Sequence, residues 1–477
     1  MRPFPLLGSV LVVCVSTVMA HAAGSAVSSR AEPEEAQLPA VDPAWRARGW
    51  HAVVPHAYVL RKLLAVRTAP APDAPIAFHL KGGTRVPVVE QGQKWWRVTW
   101  THGRSGWVPA LDVEPHAAVV LLDTHTGKVT RRLAAKGQWG AVSDGKALWS
   151  IADTGITRTS LGERPEFWSR KVAAGRDAVF PNRSLWGPER SSFYLRAVDE
   201  ESGALLRADV ATGEVRTLGT PPLGTLVGQT RTGDLLLRSM AGGKDRTHLY
   251  SPQLQRTLRR VSGKALAISR SGITYLQRDD ELIRTSPGLQ ATRRVQLPTS
   301  IMGLCLSADQ RYVAASYELS ANDESRVEIR IMDAASLRTV VTLKLPQDNY
   351  SPYVHHMGTW SGGWWIAASG EGNTETVIRF RKSGKVLRVD DGGSPVAVSA
   401  DEKAIFLAND EQILALNTAT GTKRTIPLSW RRKLPTAYLP KPSAPDFPTH
   451  LVLSSLTLTP DGKTLIITEW LSGDPEG

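Results

Sequence analysis

Three times along this chain an apolar run ends in the same short turn: Asp123-x-x-Thr126-Gly127, Asp209-x-x-Thr212-Gly213 and Asn417-x-x-Thr420-Gly421. The chemistry is local. An Asp or Asn oxygen accepts from nearby backbone amides and glycine takes a positive φ, so the chain reverses between two strands. A second signature opens strand pairs, in Leu304-Cys305-Leu306-Ser307-Ala308-Asp309, Val396-Ala397-Val398-Ser399-Ala400-Asp401 and Leu456-Thr457-Leu458-Thr459-Pro460-Asp461-Gly462. Each leads into another apolar strand, such as Ala404 to Leu407. With 40 glycines and 31 prolines punctuating 477 residues, short strands and turns are favoured over long helices.

The recurrence covers residues 116–477 at roughly 35 to 55 residues, the period of propeller blades. Openers fall near residues 138, 178, 225, 264, 302, 355, 395 and 453, with those near 138 and 178 the least marked. Residues 117–134 supply only two later strands of a blade, and 453–470 only two early ones. Joining 117–134 with 453–470 would close a ring and hide two sheet edges. These pieces resemble the WD40-like and YVTN-type β-propellers, although no Gly-His/Trp-Asp signature is present. The expected fold is all-β, with a closed propeller of seven or eight blades, eight preferred.

Ahead of this array, the stretch Lys94 to Pro109 carries four tryptophans, Trp95, Trp96, Trp100 and Trp107. Arg85-Val86-Pro87-Val88-Val89 and Trp96-Arg97-Val98-Thr99-Trp100 alternate like half-buried strands. Lys81-Gly82-Gly83-Thr84 and His102-Gly103-Arg104-Ser105-Gly106 supply turns. These residues, with Leu64-Ala65-Val66-Arg67-Thr68-Ala69-Pro70 before them and Gly106-Trp107-Val108 closing the run, resemble the bacterial SH3-like (SH3b) family. The resemblance covers residues 56–115 and implies a small closed antiparallel barrel that binds cell-wall peptides. Candidate contact residues are Arg67, Trp95, Trp96, Trp100 and Trp107. Trp95 and Trp107 match positions that usually build the family's core, which leaves Trp96 and Trp100, on one strand face, as the first to mutate.

The amino terminus reads as a secretory signal peptide over residues 1–22: Arg2, an apolar run from Leu6 to Val18, and Ala20-His21-Ala22. Cys14 follows Leu11-Val12-Val13, and lipoprotein anchoring there is the lesser alternative, because a valine stands where a small residue is wanted. Residues 23–55 read as an exposed linker. No second apolar run approaches the ~20 residues that cross a bilayer. Removal of the leader leaves Cys305 alone, without an intramolecular disulfide or a cysteine metal site. The expected location is exported, periplasmic or extracellular.

Net charge is +13, with Lys and Arg read as scattered over a solvated surface. Anionic envelope polymers or acidic proteins suit it better than nucleic acid. Enzyme motifs are missing: Gly358-Thr359-Trp360-Ser361-Gly362 misplaces the serine of a nucleophile elbow, and no Walker loop, dinucleotide fingerprint or His-Glu-x-x-His occurs. His355 and His356 are adjacent, and on a regular strand they would face opposite ways. The Asp-x-x-Thr-Gly turns are similar to those of quinoprotein dehydrogenases, but the tryptophan ending those repeats is missing after each turn, at Val129 to Leu133, Val215 to Leu218 and Lys423 to Ile426. No catalytic residue, cofactor or metal is therefore expected. Trp360, Trp364 and Trp365 read as turn and core, Ser320 to Ser325 as a hairpin tip, and residues 430–450 as a Pro-rich excursion.

The expectation is an exported envelope binding or scaffold protein, whose partner is a cell-wall peptide, an envelope protein or a glycan. The alternative is an exported propeller hydrolase or lyase acting at the central channel.

Overall fold

Strand makes up most of the described residues and helix almost none, as a chain punctuated by glycine and proline dictates. The computed structural model describes residues 41–471 except 136–138, 153–154, 164, 172–177, 180–184, 187–191, 198–204, 219–224, 231, 270, 322–323, 346–352, 370–374, 393–395, 400, 410, 432–434 and 440–450. Residues 1–22, read as a signal peptide, lie outside the described residues, as does most of the excursion at 430–450.

Seven strands form the first sheet. Their order is Ile76–Lys81, Leu63–Arg67, Ser105–Pro109, Trp95–Thr99, Arg85–Gln91, His56–Val59 and Val113–Pro115. Bulges between Val66 and Arg67 and between Val88 and Glu90 bend it, as an extra residue on one strand does. The bend wraps the sheet around Val59, Leu64, Val66, Leu80, Val86, Val88, Trp96, Val98 and Val108. The closed barrel expected from sequence is corrected here. The two end strands do not pair, and Ile76–Lys81 buries only Leu80, so it stays an edge.

Eight antiparallel sheets follow among the described residues. Sheet 1 takes two strands from each half of the chain, in the order Leu451–Leu458, Thr464–Leu471, Ala117–Asp123 and Val129–Ala135. Its central ladder runs from Thr464 opposite Asp123 to Trp470 opposite Ala117. Sheet 2 spans Trp139–Ser143 to Phe167–Lys171, and sheet 3 Ala178–Val179 to Val215–Thr217. Sheets 4 to 8 are four-stranded meanders that begin at Thr225–Gln229, Lys264–Ile268, Ile301–Leu306, Tyr353–Trp360 and Val396–Val398.

Alternation along each strand sends one set of apolar side chains to the preceding sheet and the other to the following one. Buried clusters accordingly join sheets 1 and 2 (Leu121, Leu148), 2 and 3 (Trp149, Leu206), 3 and 4 (Tyr194, Leu235), and 4 and 5 (Leu236, Leu276). They continue through 5 and 6 (Tyr275, Val313), 6 and 7 (Ile329, Trp364), and 7 and 8 (Trp365, Ile405). Sheet 8 packs back on sheet 1 through Phe406 and Leu465. Every sheet is thus covered on both faces.

Arginines reinforce four of these junctions. Arg131 donates to the carbonyls of Gly162 and Glu163, Arg170 to Gly213 and Val215, Arg379 to Ala419 and Thr420, and Arg424 to Thr124 and His125. Three of the four land on or beside the Asp/Asn-x-x-Thr-Gly turns. Within those turns Asp123 Oδ1 accepts from Thr126 N and Oγ1, and Asp209 Oδ1 accepts from Thr212 N and Oγ1. These bonds hold the Asp123 carboxyl below the usual carboxylate range.

The linker reading of residues 23–55 is corrected over its second part. Pro43–Arg46 is a short helix, and His51–Ala52 adds a fifth strand to sheet 2 by pairing with Phe167–Lys171. Trp50 is buried and its Nε1 donates to Gly213 O at 2.6 Å. Trp45 lies 5.3 Å from Trp50, 6.0 Å from Trp149 and 5.0 Å from Trp168, ring centre to ring centre. The Arg158 guanidinium sits 4.9 to 5.9 Å from three of these rings, a cation–π arrangement. Indoles this large are costly to hydrate, and this cluster takes two from outside the eight sheets.

Candidate functional site

The two ends of the seven-stranded sheet have different fates. One is covered. Strand Val129–Ala135 of sheet 1 lies along His56–Val59, Arg85–Gln91 and Val113–Pro115. The Gln91 side chain donates to Ala134 O at 3.1 Å and accepts from Ala134 N at 2.7 Å. Tyr58 and Leu60 pack with Leu439, Leu451 and Leu471. The Tyr438 ring closes over Gly82, where a Cβ would collide with it.

A buried polar group completes this junction. Glu114 and Glu469 are fully buried, and Arg132 pairs with both. Arg431 Nε and Trp430 Nε1 reach Glu469 Oε1 at 2.7 and 3.1 Å. Burial works against the charge on Arg132, but Glu114 and Glu469 outweigh it and raise its pKa. Charges this deep are tolerated because they are paired and hydrogen-bonded.

The other end is open to solvent on its outward face, and its residues form a row. Arg67 stands opposite Ile76 on one side and Trp107 on the other; Trp107 stands opposite Arg97, and Arg97 opposite Glu90. Gly106 allows the central contact: a Cβ there would meet Arg67 O and Val66 Cγ1 at 2.6 Å. Arg67 Nη1 donates to Ala74 O at 2.6 Å, and Arg97 Nη2 to Ser105 Oγ at 3.1 Å, which orients both guanidinium groups. Trp95, opposite Pro109, sits on the same face as Arg97. Trp95, Trp107 and Arg67 are half-buried, and Arg97, Glu90 and Ile76 are exposed. The face offers two flat apolar rings flanking Arg97, with Arg67 beyond Trp107, suited to a ligand with a carboxylate and an apolar body.

The roles expected within the tryptophan quartet are reversed. Trp96 is 3% exposed, belongs to the core, and donates from Nε1 to Gly92 O at 3.1 Å. Trp100 packs half-buried against that core. Trp95 and Trp107 face outward. Of the five candidate residues, Arg67, Trp95 and Trp107 come together; Trp96 and Trp100 lie on the opposite face. Sequence reasoning missed Arg97, whose place between Trp95 and Trp107 follows from the alternation of Trp95-Trp96-Arg97-Val98.

Elsewhere, His355 and His356 do not face opposite ways. A bulge between Val354 and His356 inserts His355, and the two rings meet edge to face at 5.0 Å. No group of three or more His, Cys, Asp or Glu that could hold a metal occurs among the described residues. No described helix is long and apolar enough to cross a membrane. Trp364 and Trp365 are buried between sheets, and Trp360 lies 3.9 Å beneath the Arg379 guanidinium.

The molecule is therefore an SH3-type sheet seated on an array of antiparallel sheets. Residues 62–114 match the family described as "Bacterial SH3 domain". No curated protein matches the chain. Among solved structures it is similar to hydrazine synthase of Kuenenia stuttgartiensis, at 13% identity over 62% of this chain and 95% of that chain, TM-score 0.39. It is also similar to a putative TolB from Agrobacterium tumefaciens (12% identity, 74% and 98% covered, TM-score 0.33) and to a putative 6-phosphogluconolactonase from Bacteroides uniformis (14% identity, 65% and 95% covered, TM-score 0.39).

Proposed function

We propose that this chain is an exported bacterial envelope protein that binds a cell-wall peptide through the open face of its SH3-type domain, residues 56–115. Arg67 and Arg97 receive the peptide's carboxylates, while Trp95 and Trp107 receive its apolar atoms. The observation that carries this reading is the asymmetry of the domain. The strands at one end of the sheet are sealed by contacts of Gln91, Tyr58 and Leu60, and those at the other end keep two partly exposed tryptophans beside two oriented arginines.

Residues 116–477 act as the rigid mount, a closed eight-bladed propeller in which sheet 1 is the joint. The cyclic series of buried clusters, with sheet 8 returning to sheet 1 through Phe406 and Leu465, supports this closure.

Retention of the full chain on purified peptidoglycan tests the proposal. Wild type should be retained above a charge-matched carrier, and the Trp95→Ala/Trp107→Ala pair should lose about tenfold or more, since stacked aromatic anchors dominate such contacts. Equal retention of the pair, or wild-type retention no better than on the carrier, overturns it.

A further inference from the structure

The positive charge is not scattered. Residues 225–297, which form sheets 4 and 5, hold thirteen Lys and Arg against five Asp and Glu, a net +8 of the chain's +13. The outer strands Arg256–Ser262 and Ala291–Gln296 display Arg256, Arg259, Arg260, Arg293 and Arg294, all exposed and without a lysine among them.

In four other junctions, arginines donate into the turn carbonyls of the adjacent sheet. Here Arg256, Arg259, Arg260 and Arg293 have no hydrogen-bond acceptor or carboxylate partner among the described residues; only Arg294 reaches Glu281, at 3.4 Å. Arg284 and Arg293 stand directly opposite each other on one face of sheet 5, and like charges so placed repel. Arg284 Nη1 is held by Thr292 Oγ1 at 2.9 Å, while its buried Nε has no acceptor. Edge protection explains a charge on an outer strand, but not five arginines on two neighbouring ones.

We propose that the outer edges of sheets 4 and 5 bind a linear phosphodiester polymer of the envelope. Strand alternation turns Arg259 and Arg260 to opposite sides, and likewise Arg293 and Arg294. The charge is thus spread along a rim and suits an extended chain better than a small anion. A phosphate presents oxygens in several directions and takes two N–H donors of a guanidinium at once. The bulge in Arg256–Ser262, between Arg259 and Thr257, breaks the regular edge and disfavours an added peptide strand.

The test uses the full chain and long-chain inorganic polyphosphate as probe, with poly-glutamate of equal charge and single-stranded DNA as comparators. Arg256→Gln/Arg260→Gln/Arg293→Gln should weaken polyphosphate binding about tenfold or more and flatten its salt dependence, as fewer counterions are released. The equally discharged Arg381→Gln/Lys382→Gln/Lys385→Gln, exposed on sheet 7, should stay within about twofold of wild type. Equal losses in both triples, or poly-glutamate binding as tightly as polyphosphate, overturn the proposal. Tighter binding of DNA than of polyphosphate overturns it in favour of a nucleic acid. Unfolding midpoints of both triples equal to wild type show that the comparison concerns the surface alone.

Discussion

Gln91 and Ala134 exchange two hydrogen bonds across the boundary between the SH3-type domain and sheet 1, at 3.1 and 2.7 Å. The side-chain amide does for the exposed edge of Val129–Ala135 what another strand would do, supplying one acceptor and one donor. Gln91→Leu fills similar space but leaves the Ala134 N–H and C=O without partners. The expected cost is about 1–3 kcal/mol for each orphaned group, read as an earlier unfolding midpoint in urea. An unchanged midpoint would show that this contact does not form.

Trp96→Ala and Trp107→Ala should separate stability from binding. Trp96 is a core side chain, so its loss should cost about 3–5 kcal/mol and melt the SH3-type domain. Trp107 is half-exposed, and its alanine variant should keep the fold while losing peptidoglycan retention. Near-equal destabilisation by the two would contradict the outward placement of Trp107.

Gly213 has a φ of 66°, and a Cβ there would run into the Trp45 ring. Gly213→Ala should therefore destabilise the chain twice over, through the backbone and through the collision. Adding Trp45→Ala removes only the second contribution. The double variant should be more stable than the sum of the single changes implies, a non-additivity that a double-mutant cycle measures directly. Strict additivity would mean that Trp45 lies elsewhere.

His248 is buried, with Nε2 2.8 Å from Ser239 Oγ. Burial first, and then the Arg246 charge, lower its pKa below the ordinary 6.5. The unfolded chain therefore binds this proton more readily than the folded one. Stability contributed by neutral His248 is present above about pH 6.5 and declines as pH falls toward the lower folded value. The fall in melting temperature between pH 7.5 and 5.5 should narrow in His248→Asn.

Arg424→Lys keeps the charge but cannot engage the Thr124 and His125 carbonyls in the same forked way. The contact between sheets 8 and 1 should loosen, seen as faster amide exchange in Thr124 to Gly127 with little change in sheet 5. Unaltered exchange at that turn would remove the structural role given to this arginine.

Much of the strand order was legible because its causes are local. Apolar runs such as Val119 to Leu122 and the Asp123–Gly127 turn announce themselves within ten residues, and a bacterial SH3 match over residues 62–114 agrees with the tryptophan-rich run. Even the indistinct openers near residues 138 and 178 are followed by strands, at Trp139–Ser143 and Ala178–Val179. The failures share a different cause. Trp50 finds its partner at Gly213, 163 residues away, and nothing near Trp50 signals that. The meeting of His355 with His356 depends on one bulge, which shifts the alternation that sequence reading assumes. Trp96 and Trp107 were exchanged because the family's usual core positions were carried over to Trp95 and Trp107; alternation gives two faces without saying which is inside, and here the bend of the sheet decides. The rim of arginines was visible as letters, but their lack of partners belongs to the three-dimensional arrangement.

Sheet 1 also bears on how the chain can be made. Its central ladder joins Ala117–Asp123 to Thr464–Leu471, and Thr124 Oγ1 bonds to Gly462 O across 338 positions. During synthesis, residues 117–135 emerge early and wait with an open edge while more than three hundred residues follow. A chain under synthesis thus carries a sticky hairpin through most of its translation, the circumstance in which non-local pairing is slow and aggregation-exposed. The SH3-type domain, which Gln91 fastens to the opposite edge of that hairpin, leaves the waiting edge of Ala117–Asp123 uncovered until its partner strands arrive.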